Sequence, residues 1–240
     1  MSTRALTLYV MDTVVKITAV ACAIYLFRFA KRPKRSPAIV STLIIGVTAL
    51  TTALQFVFPE ILRAFWRNPE ALLAGEWWRM VTPLFVQSNG LRQCAGNAIA
   101  AVIFLPLAER FFGQKLWALY FIPGIIGEVF AYLWGLEGAG SSVGIAGVMG
   151  SLFAFVLFHR RELPGLVYIA ALLGVSAAVV LCLWRGTHGP SLIVGLLLAS
   201  AMIRVWPDHP METTERDHSN SLTSVRLLQS FDVHVRGALL

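Results

Sequence analysis

The sequence predicts an all-α, multi-pass membrane protein, and three observations support that prediction. Hydrophobic residues make up 57% of the 240 residues and the mean hydropathy is +0.69, whereas soluble domains hold about 45–50% apolar residues. Charged residues make up only 14%, which is too few to cover a soluble globule of this length. The apolar residues also lie in runs of about 20, the length that a helix needs to cross a bilayer.

Seven apolar runs predict seven helices. They lie at 13–30, 37–58, 92–111, 116–136, 142–159, 164–185 and 188–206. The first run is the weakest, but it is not typical of a cleaved signal peptide, because it is long, contains Lys16 and has no small-residue cleavage site before the basic residues. The sequence also lacks the ten-residue apolar–polar alternation of a transmembrane β-barrel. The tail 207–240 is polar at first and is expected to be a flexible extension.

The basic residues predict the orientation of the bundle. A cluster follows the first run and consists of Arg28, Lys31, Arg32, Lys34 and Arg35. By the positive-inside rule this loop is cytoplasmic, so the long loop 59–91 lies outside and the tail lies inside. Most of the net charge of +7 is explained by basic residues that set the orientation in the membrane, so we predict no nucleic-acid partner. The sequence shows no metal-ligand spacing of the Cys-x-x-Cys or His-Glu-x-x-His kind, so we predict no metal and no cofactor.

Three polar sites interrupt the apolar runs, and polar groups inside a membrane are candidates for function. The stretch "RQCAGN" places Gln93 and Asn97 one helical turn apart on one face. The stretch "SSVGIAGVMGS" contains Ala146, and His188 opens the last run, "THGPSLIVG". In the predicted orientation all three sites lie at the outer ends of their helices, so we expect them to meet in one layer.

Small residues four positions apart predict close contact between the helices that carry these sites. Such pairs are Ala146 with Gly150, Gly147 with Ser151, and Ser191 with Gly195.

Four stretches together resemble the rhomboid family of intramembrane serine proteases. The family's Trp-Arg pair in the first outer loop matches Trp78 and Arg79 in "GEWWRMVTPLF". Its second core helix carries His-x-x-x-Asn and ends in Pro-x-x-Glu-[Arg/Lys]-x-x-Gly, and the matching residues are Asn97, Pro106, Glu109, Arg110 and Gly113. Its Gly-x-Ser-Gly motif falls on "GIAG", with Gly144, Ala146 and Gly147. Its Ala-His-x-x-Gly-x-x-x-Gly motif falls on His188, Ser191 and Gly195.

The resemblance implies a six-helix rhomboid-type bundle over residues 37–206, with one extra N-terminal transmembrane helix. Residues 1–36 would then form the extra helix and the basic loop, and 207–240 the tail. The family works through a Ser–His dyad, with the second-helix His and Asn and backbone N–H groups holding the oxyanion. On this alignment Ala146 occupies the nucleophile position and His188 the general-base position, while Gln93 and Asn97 occupy the oxyanion positions.

A methyl group cannot attack a peptide bond, so the alignment implies a protein that has lost its nucleophile. Two departures agree: Gln93 replaces the family's histidine, and Gly150 replaces an aromatic residue that stacks on the base. The leading hypothesis is therefore a pseudoprotease that binds transmembrane clients without cutting them. The alternative is an active rhomboid serine endopeptidase that uses another serine, Ser141 or Ser142, or whose serine has been changed to Ala146.

Both hypotheses imply the same partners and the same cellular location. The partners are the lipid bilayer and the transmembrane helices of client or substrate proteins, and the oligomeric state is left open. The expected location is the plasma (inner) membrane of a bacterium, with the site facing outward and the C-terminus in the cytoplasm. A small transporter or channel is a third class, and the sparse intramembrane charges argue against it.

Overall fold

The computed structural model describes residues 3–29 and 38–205. Within these ranges the chain forms helices and short 3₁₀ turns, with a single isolated β-bridge between Arg67 and Gly138. The helices are α1 (Thr3–Phe29), α2 (Ile39–Val57), α3 (Pro59–Phe65), α4 (Pro69–Leu73), α5 (Gly90–Phe112), α6 (Leu116–Leu133), α7 (Ser142–Phe158), α8 (Gly165–Leu183) and α9 (His188–Val205). The predicted all-α fold is confirmed. The predicted basic residues from Lys31 to Arg35 and the tail 207–240 lie outside the described residues.

The membrane-spanning segments agree with the predicted runs. By length and composition, five stretches of the described chain can cross a membrane, and they are Thr3–Arg28, Ile39–Val57, Gly90–Leu133, Gly165–Leu183 and His188–Val205. The stretch Gly90–Leu133 contains both α5 and α6, which a 3₁₀ turn at Gly113–Lys115 joins. Helix α7 is apolar but has only 17 residues. The chain is therefore a multi-pass integral membrane protein.

Helix α1 starts ten residues earlier than predicted. The predicted run began at residue 13, directly after Asp12, but the helix continues upstream to Thr3. Asp12 and Lys16 do not interrupt it, because they lie one turn apart and pair with each other at 2.6 Å between Oδ2 and Nζ.

Helix α7 lies at the centre of the bundle. Every residue from Val143 to Val156 is buried, and α5, α6, α8 and α9 surround it. The closest approach is to α9, where a Cβ on Gly195 would lie 1.9 Å from the carbonyl oxygen of Gly147. A Cβ on Gly150 would likewise lie 2.1 Å from the carbonyl oxygen of Leu192. The small-residue pairs of the sequence are therefore explained by contact between helix backbones.

The family-motif residue Glu109 joins the ends of α5 and α2. Its two carboxylate oxygens accept hydrogen bonds from the N–H groups of Val40 and Ser41, each at 2.8 Å, and from the Ser41 hydroxyl at 2.6 Å. These N–H groups lie in the first turn of α2, where the helix provides no carbonyl oxygen to accept their hydrogen bonds. The Glu109 carboxylate accepts them instead and so acts as an N-terminal cap.

The segment between α2 and α5 is ordered by two buried arginines. Arg79 donates to the carbonyl oxygens of Arg63 and Trp66 at 2.9 and 2.8 Å, and its Nε bonds Glu76 at 2.7 Å. Arg67 pairs with Glu128 of α6 at 2.7 Å. The bonds of Arg79 hold the segment together, and the Arg67–Glu128 pair attaches it to α6.

Trp78, the other half of the predicted Trp-Arg pair, has a role in the same segment. It is half-exposed, and its indole N–H donates to the carbonyl oxygen of Ala64 at 3.1 Å. It therefore ties the first 3₁₀ turn (Trp77–Met80) to α3.

Candidate active site

A serine and a histidine are in hydrogen-bond contact where α7 and α9 begin. Ser142 is the first residue of α7 and His188 is the first residue of α9. The distance between Ser142 Oγ and His188 Nε2 is 3.0 Å. Ser191, one turn further along α9, donates its hydroxyl to the carbonyl oxygen of Val143 at 2.5 Å and so fastens the two helix starts together.

This pairing differs from the one that the alignment implied. The alignment brought His188 together with position 146, whereas the structure brings it to Ser142, four residues earlier. The physical reason is the level at which α7 begins. Ser142 stands at the height of His188, and Ala146 lies one turn further into the bundle, about 6 Å along the helix axis.

The glycines of "GIAG" have a different role from that of a turn around a nucleophile. A Cβ on Gly144 would lie 2.6 Å from the ring of Tyr120, and a Cβ on Gly147 would lie 2.5 Å from Pro123 Cβ. Both neighbours belong to α6. The glycine spacing therefore follows from the packing of α6 against α7 inside a regular helix.

A third polar group contacts the histidine from the other side. Asp12 of α1 places Oδ1 at 2.7 Å from His188 Nδ1, and its other oxygen bonds Lys16. Sequence reasoning missed Asp12, because the predicted first span began at the next residue. The sequence did contain a signal for Asp12, which is a carboxylate within a mostly apolar helix. Such groups are rare in membranes and mark functional sites.

The predicted oxyanion residues lie beside this pair and are themselves hydrogen-bonded. Asn97 donates from Nδ2 to Gln87 Oε1 at 2.7 Å. Gln93 donates to the carbonyl oxygen of Ala139 at 2.9 Å and accepts from the N–H of Asn89 at 2.7 Å. Gln93 thus holds the chain before α7 against the start of α5.

Gln87 connects the site to α2, and the sequence analysis did not identify it. Its side chain is buried and donates to Ser141 Oγ at 3.0 Å, next to Ser142. Its backbone N–H and carbonyl oxygen bond the side chain of Gln55 at 2.9 and 2.8 Å. These hydrogen bonds therefore fix the position of Asn97 relative to Ser141 and its neighbour Ser142.

An open cavity of about 740 Å³ brings these groups together. All four residues that the alignment assigned to the site line it: Gln93, Asn97, Ala146 and His188. Ser142 and Asp12 line it as well. Helices α1 and α5 form its walls, with apolar side chains such as those of Val20 and Ile103.

The fold and the site together define a class: a multi-pass helical membrane protein with a serine–histidine pair at the base of an open cavity. The family model described as Rhomboid domain matches residues 74–205, more than half of the chain. The chain belongs to the rhomboid family. Helices α1, α2, α3 and α4 precede the matched region.

A curated relative supports the same family. RHOMBOID-like protein 9, chloroplastic, of Arabidopsis thaliana is 37% identical over 65 residues. The match spans 27% of this chain and 15% of the length of that protein.

Proposed function

We propose that this protein is an intramembrane serine endopeptidase in which Ser142 is the nucleophile and His188 is the general base. The observation that carries the proposal is the 3.0 Å contact between Ser142 Oγ and His188 Nε2. A nucleophile and its base must lie within about 2.6–3.2 Å for proton transfer. The rhomboid family supplies the reaction class, hydrolysis of a peptide bond within or next to a membrane.

The reaction follows from this geometry. Ser142 Oγ attacks the carbonyl carbon of the scissile bond while His188 Nε2 takes the hydroxyl proton, and the carbonyl electron pair moves to oxygen. The oxyanion collapses, the C–N bond breaks, and His188 gives the proton to the leaving nitrogen. A water molecule then attacks the acyl–Ser142 ester with His188 again as base, which releases the new carboxyl group and restores the serine.

Two kinds of donor lie near the position where the oxyanion would form. Asn97 has a second amide N–H besides the one that bonds Gln87. The second kind is the N-terminus of α7, which favours negative charge. Its Val143 and Ile145 N–H groups already bond the carbonyl oxygens of Gly140 and Ser141, so the candidate donors are the N–H groups of Ser142 and Gly144. Each well-placed donor is worth about 10²–10³ in turnover.

The cavity indicates the substrate class. Its walls on α1 and α5 are mostly apolar, and polar groups gather at the end where Ser142 and His188 lie. A peptide that enters between these walls must therefore be largely hydrophobic, as a transmembrane segment is. We propose that the substrate is such a segment, with its scissile bond near one membrane surface.

We also propose that this surface is the outer one. The contacts of helix ends support an alternating path through the membrane: Arg4 at the start of α1 donates to the carbonyl oxygen of Trp184 after α8, and Glu109 caps the start of α2 from the end of α5. The basic residues after α1 then favour a plasma membrane with the site outside and the C-terminus in the cytoplasm.

A non-proteolytic, client-binding protein is the second candidate. The observation that favours it is the state of Gln93, which replaces the family's histidine and has both ends of its amide in hydrogen bonds to the backbone. A weak oxyanion site would slow cleavage while leaving the cavity able to hold a client helix.

Cleavage by the full chain in liposomes tests the proposal. The substrate is a reporter protein with one transmembrane segment, and the variants are Ser142→Ala, His188→Ala and Ala146→Ser. Ser151→Ala is the matched control, because Ser151 lies on the same helix and its hydroxyl donates within that helix, to the carbonyl oxygen of Val148.

We expect the wild type and Ser151→Ala to cleave equally, and Ser142→Ala and His188→Ala to lose at least about 10⁴-fold. Ala146→Ser should not increase the rate. Cleavage that persists in Ser142→Ala, or a wild type that is inactive and gains activity through Ala146→Ser, would overturn the assignment of Ser142. Reporter binding without cleavage by the wild type would support the client-binding candidate.

A further inference from the structure

We infer that Asp12 of α1 is a positioning residue that completes a Ser142–His188–Asp12 triad. The inference rests on the proposed function and extends it, because it makes the helix that precedes the family-matched region part of the catalytic apparatus. The observation is that His188 is held at both ring nitrogens, by Ser142 at Nε2 (3.0 Å) and by Asp12 at Nδ1 (2.7 Å).

The carboxylate decides which nitrogen of the neutral imidazole carries the proton. A carboxylate can only accept a hydrogen bond, so Nδ1 must be the protonated nitrogen when it contacts Asp12. Nε2 is then left with its lone pair, which is the form that accepts the proton of Ser142. The same carboxylate stabilises the imidazolium that forms when the proton has moved.

The position of Asp12 is fixed by the packing of α1 on α8. The buried face of α1 includes Ala19, Cys22 and Leu26. A Cβ on Gly174 of α8 would lie 2.8 Å from the Thr18 hydroxyl, so the two helices are in close contact. The Asp12 carboxylate is therefore presented by a docked helix, with its side chain only 24% exposed.

The other charged groups of the neighbourhood have different partners. Lys16 bonds the second oxygen of Asp12 at 2.6 Å, which orients the carboxylate. Glu128 of α6 has Arg67 as its hydrogen-bonded partner, at 2.7 Å. Among the described residues, the carboxylate in contact with the imidazole is that of Asp12.

The test measures kcat, KM and Tm separately for Asp12→Asn, Asp12→Glu and a control, Thr13→Val, in the full chain. Thr13 is the next residue on α1, and its hydroxyl donates to the carbonyl oxygen of Tyr9 in its own helix. Asparagine keeps the size of the side chain but can donate its N–H to Nδ1, which selects the wrong tautomer. In a comparable Ser–His–Asp protease this change lowers kcat by about 10⁴.

We expect Asp12→Asn to lower kcat by about 10²–10⁴ with KM and Tm nearly unchanged, Asp12→Glu to recover at least tenfold over Asp12→Asn, and Thr13→Val to match the wild type. A kcat for Asp12→Asn within about threefold of wild type would overturn the inference. So would a loss of activity that parallels a fall in Tm, because that pattern indicates a role in holding α1 in place.

A second measurement does not depend on activity. In protein with ¹⁵N-labelled histidine, the signal of His188, identified by its loss in His188→Gln, reports which nitrogen carries the proton. We expect the Nδ1–H form in the wild type and a shift toward the Nε2–H form in Asp12→Asn. An Nε2–H wild type refutes the triad even if Ser142-dependent cleavage occurs. An Nδ1–H wild type that cleaves nothing refutes the proposed function and supports the assignment of Asp12 as the partner of the histidine.

Discussion

Replacing Gly195 with alanine should both destabilise the protein and disable the site. The added Cβ would lie 1.9 Å from the carbonyl oxygen of Gly147, while ordinary contact begins at 3.4 Å. The backbones of α7 and α9 would therefore have to separate by about 1.5 Å, which is the kind of overpacking that costs about 1–3 kcal/mol or more.

The same separation acts on the site, because Ser142 and His188 open the two helices that move apart. A displacement of about 1 Å at a catalytic pair can cost about 10²-fold in rate. We therefore expect Gly195→Ala to lose about two orders of magnitude in cleavage, in addition to its loss of stability.

The assay is thermal unfolding in detergent together with cleavage of the reporter in liposomes. Gly46→Ala is the matched control, because Gly46 also lies within a helix, α2, but a Cβ there meets nothing within 4 Å. Its stability should be unchanged or higher by up to about 1 kcal/mol, since alanine favours helix. If Gly195→Ala proves as stable and as active as Gly46→Ala, the close α7–α9 contact is wrong.

Two further predictions concern buried charges that order the scaffold. Glu109→Gln replaces an acceptor of the α2 cap with a donor and should cost about 1–3 kcal/mol in unfolding free energy, whereas the exposed Glu60→Gln should change it by at most about 1 kcal/mol. Equal effects of the two changes would argue against the cap. Arg67→Met leaves the buried Glu128 side chain without its hydrogen-bonded partner and should cost about 3–5 kcal/mol. Adding Glu128→Leu should restore most of that loss, and no recovery in the double variant would show that Arg67 acts through its other contacts.

Much of the fold could be predicted from the sequence, because the bilayer imposes a helix length that composition reveals. The predicted run at 92–111 differs from α5 by one or two residues at each end, and the run at 142–159 starts with α7 and ends one residue after it. The start of α1 could not be found in this way. Asp12 interrupts the apolar residues just before the predicted run, and only the folded structure shows that it pairs with Lys16 and that both residues line the cavity.

The site was predicted in part. The four residues that the alignment assigned to the site, Gln93, Asn97, Ala146 and His188, all line the cavity, since polar groups at the ends of apolar helices share one level in an alternating bundle. The sequence could not identify the partner of His188. Glycines at a helix-packing contact and glycines at a turn look alike in a sequence, so Gly144 and Gly147 suggested a nucleophile position at Ala146. The structure distinguishes the two cases, because Tyr120 and Pro123 occupy the space beside those glycines.

The measurement that most directly tests the central claim is the position of a covalent adduct. The wild-type protein in detergent is treated with a fluorophosphonate, which reacts with an activated serine hydroxyl, and the modified residue is located by mass spectrometry. We expect one adduct on Ser142, formed at a rate that falls at least about 10²-fold in His188→Ala. An unmodified Ser142, or an adduct on Ser141 that depends on His188, would contradict it.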